Sequence, residues 1–427
     1  MAKNSKTTAQ QPVDDYATTR VPVEARRGTF EVSMVASGFC IAMSGLFTGA
    51  SMAAGLTLTQ ALIAAFVGNT ILSFFGGLIG AAGAREGLSS SRLSRFSFGT
   101  QGFKIVSMVL ALTMFGWFSV QVGFFGNTIN AMFPNAGVIT RVPVAAFWGG
   151  ILMLLTAYYG FKGLSALSLV AVPMIAITAT LGIFYAIRGV GGWTGMMTIE
   201  PVGSVTLAQG IVMVVGSFAA GASAQADITR YAKDEKAAWI STLIGYMLAN
   251  SFIILAGYIT TLATGSGDLP RAMLALGLGI PSLLVLIAAQ WTTNDNNLYT
   301  ASLGLANIIK ISRSNIVLIL GISGSILGAF GMADYFIGWL NILGIGVPPM
   351  AGIILADYFV VNKGKYDIES DEQLPAWNFN AIIAWLIAGV VGYFVKWGIA
   401  SLNTLVTAMI VYIILMMFVK KKKEEGI

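Results

Sequence analysis

The densest chemistry in this 427-residue chain lies in one string, W-T-T-N-D-N-N at 291–297. Thr292, Thr293, Asn294, Asp295, Asn296 and Asn297 are consecutive hydrogen-bonding residues inside an otherwise apolar stretch. Adjacent threonine hydroxyls are hard oxygen donors and suit a small hard cation. Asn294 carries both a donor and an acceptor, which suits an amide-like or nucleobase edge. A charge at the middle of a membrane helix costs roughly 2.5–3.5 kcal/mol on insertion scales. The cluster, Asp295 included, must therefore face protein or water. The competing reading is a network of hydrogen bonds between helices.

A second group is Met114, Trp117 and Gln121, whose −3 and +4 spacings put them on one helical face. Trp117 follows Gly116, deep in an apolar run rather than near its end. A tryptophan there needs a partner for its N–H, or a cavity. A flat aromatic solute stacked on Trp117 and bonded to Gln121 would account for both; a packed core tryptophan is the alternative. Ser217 and Phe218 form a third group, with Phe218 read as the opposite wall of an aromatic slot or as a core residue. Glu31, Asp227, Asp334 and Asp357 lie near the ends of apolar runs and read as structural, which leaves Asp295 as the central acid. The chain contains no histidine, so imidazole metal sites and the commonest proton relay are excluded. A sodium ion fits the threonine pair better than a proton relay does.

These groups must be positioned by membrane helices. Hydrophobic residues make up 56% of the chain and charged ones 10%, with mean hydropathy +0.78; an ordinary soluble domain is about a quarter charged. That excludes a cytosolic globular enzyme, a disordered chain and a disulfide scaffold, and the lone Cys40 can form no intrachain disulfide. Apolar segments recur at about 30–54, 58–83, 104–132, 143–161, 163–187, 206–229, 237–264, 272–309, 314–331, 334–359, 378–396 and 399–419. Twelve spans are expected. The 272–309 segment is too long for one span and should begin with a loop helix. With both termini cytoplasmic, all 25 basic residues fall inside except Arg141, Arg188, Arg271 and Lys396, as the positive-inside rule requires. The positive charge thus reports topology and points to a lipid bilayer, not to nucleic acid. Trp148, Trp193, Trp239, Trp339, Trp377 and Trp397 fall near span ends, where indole favours the interface. Residues 1–27 read as a disordered cytoplasmic tail and 420–427 as a basic one. Two spans carry glycine–serine strings that should break them: S-G-F-C-I-A-M-S-G at 37–45 and G-S-F-A-A-G-A-S at 216–223. Breaks at matching positions of two halves point to an inverted-repeat transporter with a midplane site. Close glycine packing of helices is the alternative.

R-R-G at 26–28, R-F-S-F-G at 95–99, G-W-F at 116–118, V-V-G-S-F at 214–218, W-T-T-N-D-N-x-L-Y at 291–299, P-P at 348–349 and A-D-Y at 356–358 resemble the bacterial cytosine permeases. These belong to the nucleobase:cation symporter-1 family. The resemblance runs from about residue 25 to 360 and implies an all-α, leucine-transporter-like fold of two inverted five-helix repeats plus two further helices. On this chain the repeats would occupy 28–188 and 189–362, with a loop and the two added helices at 363–419. It also implies roles. Trp117 and Phe218 would sandwich a base, Asn294 would bond its edge, and Ser217 would lie near. Sodium, the coupling ion, would be held by the hydroxyls of Thr292 and Thr293 and the carbonyls of Gly38, Ile41 and Ala289. The implied setting is a bacterial inner membrane, with no obligate protein partner and no cofactor. The chain departs from the cytosine permeases at Met114, where they carry glutamine, and at Ala220, where they carry serine. Gln121 resembles the arrangement in the family's hydantoin carriers.

The expected activity is sodium-coupled import of cytosine or a closely related nucleobase. Its siblings, carriers of hydantoin, purine or a thiamine-precursor pyrimidine, remain open, as does proton coupling through Asp295. An ion channel would need a filter ring, and a stacking tryptophan has no use in one. A membrane enzyme would need a nucleophile with a base, or metal ligands, and this composition supplies few of either.

Overall fold

The computed structural model describes residues 19–424 apart from 160–163, 202, 267, 307, 310 and 367–372. The tail reading for residues 1–18 and the placements of Lys162 and Lys310 fall outside the described residues. So do the side chains of the final lysine run. Among the described residues the regular elements are helices, and one isolated bridge joins Arg27 to Ala232.

The chain first forms α1 (Thr29–Cys40) and α2 (Met43–Met52), bent by 52° against each other. α3 (Leu58–Glu86), the short helix α4 (Ser90–Phe98), α5 (Phe103–Met132), α6 (Val142–Tyr159) and α7 (Leu164–Gly189) follow. Then come α8 (Leu207–Ser223), α9 (Glu235–Thr264), α10 (Gly279–Ala306), α11 (Arg313–Ala329), α12 (Met332–Val361), α13 (Phe379–Phe394) and α14 (Ala400–Glu424). Seven of these are long and apolar enough to cross a membrane, and the bent α1–α2 pair would be an eighth span. α6, α11 and α13 are shorter apolar helices. α10 has the length of a span, but its apolar run is interrupted by the polar residues at 292–297. Together these helices occupy all twelve expected segments. The long eighth segment is divided as expected: a short helix, Leu269–Ala275, precedes α10. Gly277 (φ 77°) and Gly279 (φ 68°) make the turn between them, a backbone region that penalises other L-residues.

Local sequence sets several helix starts. Thr57 and Gln60 form a reciprocal cap on α3, as Thr206 and Gln209 do on α8. Asp234 accepts from the Ala237 N–H at 2.7 Å to start α9. One face of the bundle gathers the end of α3, the start of α9 and the end of α12. Arg85 grips Glu235 at 2.7 and 2.9 Å, and Tyr358 donates to Glu86 at 2.9 Å. Arg20 joins this face through Glu86. Arg271 lies on the opposite face, near Asn130. This segregation agrees with the charge pattern.

The expected break at 216–223 is not there. α8 runs unbroken from Leu207 to Ser223 and turns only at Ala224–Gln225. The glycines serve close approach instead. A Cβ at Gly216 would sit 1.9 Å from the Leu340 carbonyl of α12, and one at Gly221 2.7 Å from the Phe39 ring. The packing alternative therefore holds for α8. Trp239 and Trp339 pack on glycines as well. Their rings lie against Gly77 and Gly116, where a Cβ would meet them at 2.3 Å. Two π-helical turns, Ile244–Asn250 in α9 and Ala356–Val361 in α12, had no sequence signal.

Candidate substrate and cation site

The break between α1 and α2 releases backbone oxygens. A continuous helix would send the Ala42 N–H to Gly38 and the Gly45 N–H to Ile41. Here the Ala42 N–H bonds to Cys40 at 2.9 Å and the Gly45 N–H to Ala42 at 3.0 Å. The Gly38 and Ile41 carbonyls thereby lose their helical partners. On α10, the hydroxyls of Thr292 and Thr293 both donate to the Ala289 carbonyl, at 3.0 and 2.9 Å. With their protons so engaged, the threonine oxygens present lone pairs. The Ala289 carbonyl already accepts two bonds.

Gly38, Ile41, Thr292 and Thr293 line one cavity of about 960 Å³. Met114, Trp117, Gln121, Ser217 and Phe218 line the same cavity. The aromatic walls are braced from behind. Trp117 meets Phe336 edge-on at 5.9 Å, and Phe218 meets Phe39 at 5.6 Å and Tyr246 at 6.0 Å. Ser217 donates to the Val214 carbonyl at 2.7 Å, so it too presents lone pairs to the cavity. Gln121 is 1% exposed, and its Oε1 is buried without a partner. An amide so placed carries the desolvation cost of an unmade bond, about 1–3 kcal/mol, which a polar solute would relieve.

Asn294 is not brought to the cavity. It is fully buried, and its Nδ2 faces the Phe118 carbonyl at 3.2 Å and the Met153 sulfur at 3.3 Å. Asp295 also points away. Its Oδ1 accepts from Thr156 at 2.9 Å, Trp291 donates to that same hydroxyl at 2.9 Å, and Oδ2 is buried without a partner. Asn296, Asn297 and Thr300 line the cavity instead, with Ser44 and Pro173. The asparagines were visible in the string, but no role had been attached to them.

The cavity extends along α1 to Met34 and Val35, toward the face that carries Arg20 and Glu86. Its other end is closed by rings. Phe47 of α2 stacks on Phe124 of α5 at 3.7 Å and 7°, and Phe124 meets Phe336 of α12 edge-on at 5.0 Å.

A multi-helix bundle with a bent first span and a central cavity open to one face has the architecture of a membrane transporter. The comparisons agree. Residues 20–417 match the family described as permeases for cytosine/purines, uracil, thiamine and allantoin, and the chain belongs to that family. The cytosine permease of Escherichia coli (strain K12) is 31% identical over 402 residues, covering 94% of each chain. The hydantoin permease of Microbacterium maritypicum is 20% identical, covering 80% of this chain and 74% of its own. Among solved structures, the inward-facing conformation of Mhp1 superposes with a TM-score of 0.83 at 19% identity, over 94% of this chain and 93% of that one. Mhp1 closed around bromovinylhydantoin, described as a nucleobase-cation-symport-1 family transporter, gives 0.77 at 18% identity, over 95% and 96%. The fold is therefore the leucine-transporter-like one, with two inverted five-helix repeats and two added helices.

Proposed function

We propose that this protein is a secondary active transporter that imports cytosine or a closely related nucleobase with sodium, by alternating access, across a bacterial inner membrane. The observation that carries the reading is the shared cavity. Its lining includes Trp117, Phe218 and the unsatisfied Gln121 amide, together with Thr292 and Thr293 and two residues, Gly38 and Ile41, whose carbonyls a helix break frees. Stacking plus amide bonding suits a planar heterocycle. Four neutral oxygens suit a monovalent hard cation, and a turn of the Ala289 carbonyl would add a fifth. The repeats are assigned to 28–188 and 189–362, and the face bearing Arg20 and Glu86 to the cytoplasm.

Proton coupling through Asp295 is the second reading. A buried carboxyl with an unpartnered oxygen favours it; its position off the cavity speaks against it. Reconstitution into liposomes tests the proposal. Cytosine should accumulate under an inward sodium gradient at equal pH. Saturable uptake of no nucleobase under any sodium gradient would refute it.

A further inference from the structure

The polar string of α10 holds an amide whose orientation the surrounding bonds set. Asn294 gives Nδ2 to the Phe118 carbonyl at 3.2 Å, which turns its Oδ1 away from α5. That Oδ1 accepts the Nδ2 of Asn297 at 3.4 Å, a long bond. Asn297 lies one turn further on, is 8% exposed and lines the cavity. With its Nδ2 directed to Asn294, its Oδ1 has no bond among the described residues. A backbone carbonyl cannot swap donor for acceptor, so the relay from Phe118 through Asn294 fixes which end of Asn297 points outward. Asn296, which also lines the cavity, gives its Nδ2 to the Thr292 carbonyl at 3.1 Å, so the end it leaves free is likewise an acceptor.

We propose that Asn297 is a specificity-determining residue: its Oδ1 accepts a hydrogen bond from the exocyclic amino group on the substrate's edge, and Asn294 is the positioning residue that sets its orientation. This rests on the nucleobase reading above and names the edge chemistry of that same site. The neighbouring polar groups agree, since the Ser217 hydroxyl proton is engaged on Val214. A wall rich in acceptors selects an amino-bearing base over its oxo counterpart. A site built for a bond rejects an analogue lacking that donor more strongly than one differing by a methylene.

The test measures binding of cytosine, uracil and 2-pyrimidinone, which lacks the amino group without adding bulk, to purified full-length protein in sodium. The wild type should favour cytosine over both by about tenfold or more, the scale of one buried hydrogen bond. Asn297→Leu should bring the three affinities within about threefold of one another through loss of cytosine binding. Asn294→Leu should lower the cytosine-to-uracil ratio and raise uracil affinity, because the freed amide can present Nδ2 to a 4-oxo group. A purely structural role for Asn294 would lower both affinities together and would overturn its assignment. Equal wild-type affinity for cytosine and 2-pyrimidinone would overturn the proposal without any variant having to fold. An unchanged ratio in a folded Asn297→Leu protein would do the same while leaving the nucleobase reading intact. Absence of all base binding by the wild type would overturn both.

Discussion

At the scale of single residues, the cavity separates side chains that bind from side chains that brace. Trp117 supplies a face to the cavity while Phe336 holds its edge. Stacking of a base on an aromatic ring contributes about 1–3 kcal/mol. Trp117→Ala should therefore weaken base binding roughly ten- to hundredfold in a protein that still folds, as read by calorimetry. Phe218→Ala should weaken it less, because a smaller ring is lost. Unaltered affinity in folded Trp117→Ala would remove the stacking slot. Thr293 acts on a different ligand. It lines the same cavity as Gly38 and Ile41, whose carbonyls are freed, and under the sodium proposal Thr293→Ala should abolish most of the sodium dependence. Low-sodium affinity for the base should stay near that of the wild type. A titration of base binding against sodium in the variant decides this, and a preserved sodium response would place the ion elsewhere. The string at 291–297 was legible as a site, but its rotational phase was not. Successive residues on a helix are turned by about 100°, so six polar residues in a row cover every direction. Sequence alone could not say that Thr292 and Asn297 face the cavity while Asn294 and Asp295 face α5 and α6.

At the scale of elements, the two glycine–serine strings show why one break was legible and the other misleading. Both have the composition that weakens a helix. In the first, the chain between Cys40 and Met43 leaves the helix and frees carbonyls. In the second, the same residue types let the Leu340 carbonyl of α12 come within reach of Gly216. The distinction depends on a neighbouring helix far away in sequence, and no local pattern encodes it. Gly216→Ala should accordingly lower stability rather than remove a cation ligand. A forced Cβ contact of 1.9 Å on backbone is overpacking, typically about 1–3 kcal/mol. Thermal unfolding should shift down with the sodium response retained. Loss of sodium binding at unchanged stability would instead make Gly216 part of the cation site. The helices that meet at Phe47, Phe124 and Phe336 form the other informative contact. An aromatic pair adds about 0.5–1.5 kcal/mol beyond its buried area. Phe124→Ala removes both of its contacts and should open the far side of the cavity part of the time. A cysteine at Ser44, in a Cys40→Ala background, would report it with a membrane-impermeant thiol reagent. Labelling should occur from the Arg20 face alone before the change, and from both faces after it.

At the scale of the molecule, the fold joins the two ligands through one moving part. The proposed sodium oxygens come from α1 and α10, and Phe39 of α1 packs edge-on against Phe218 of the proposed base slot at 5.6 Å, so each ligand would act on the position of the bent α1–α2 pair. A ligand shifts a conformational equilibrium only by its difference in affinity between the states, and the resulting coupling is reciprocal. Sodium should tighten base binding by the factor by which the base tightens sodium binding, about 5- to 150-fold for typical couplings. The cavity open toward Met34 and closed at Phe47–Phe124 would be one end of the proposed cycle. The driving ion is the remaining alternative, and the chain's composition bears on it. With no histidine, no unperturbed side chain titrates between about pH 6 and 8. Sodium-driven uptake should then change little over that range. Asp295 is the group that would carry a proton if one were carried, yet it faces Thr156 and not the cavity. Asp295→Asn keeps an oxygen to accept from Thr156 and removes the titratable proton. Uptake by that variant should follow a sodium gradient as in the wild type and should not respond to a proton gradient alone. Accumulation driven by protons in the wild type and lost in Asp295→Asn would make Asp295 the coupling group and sodium a bystander.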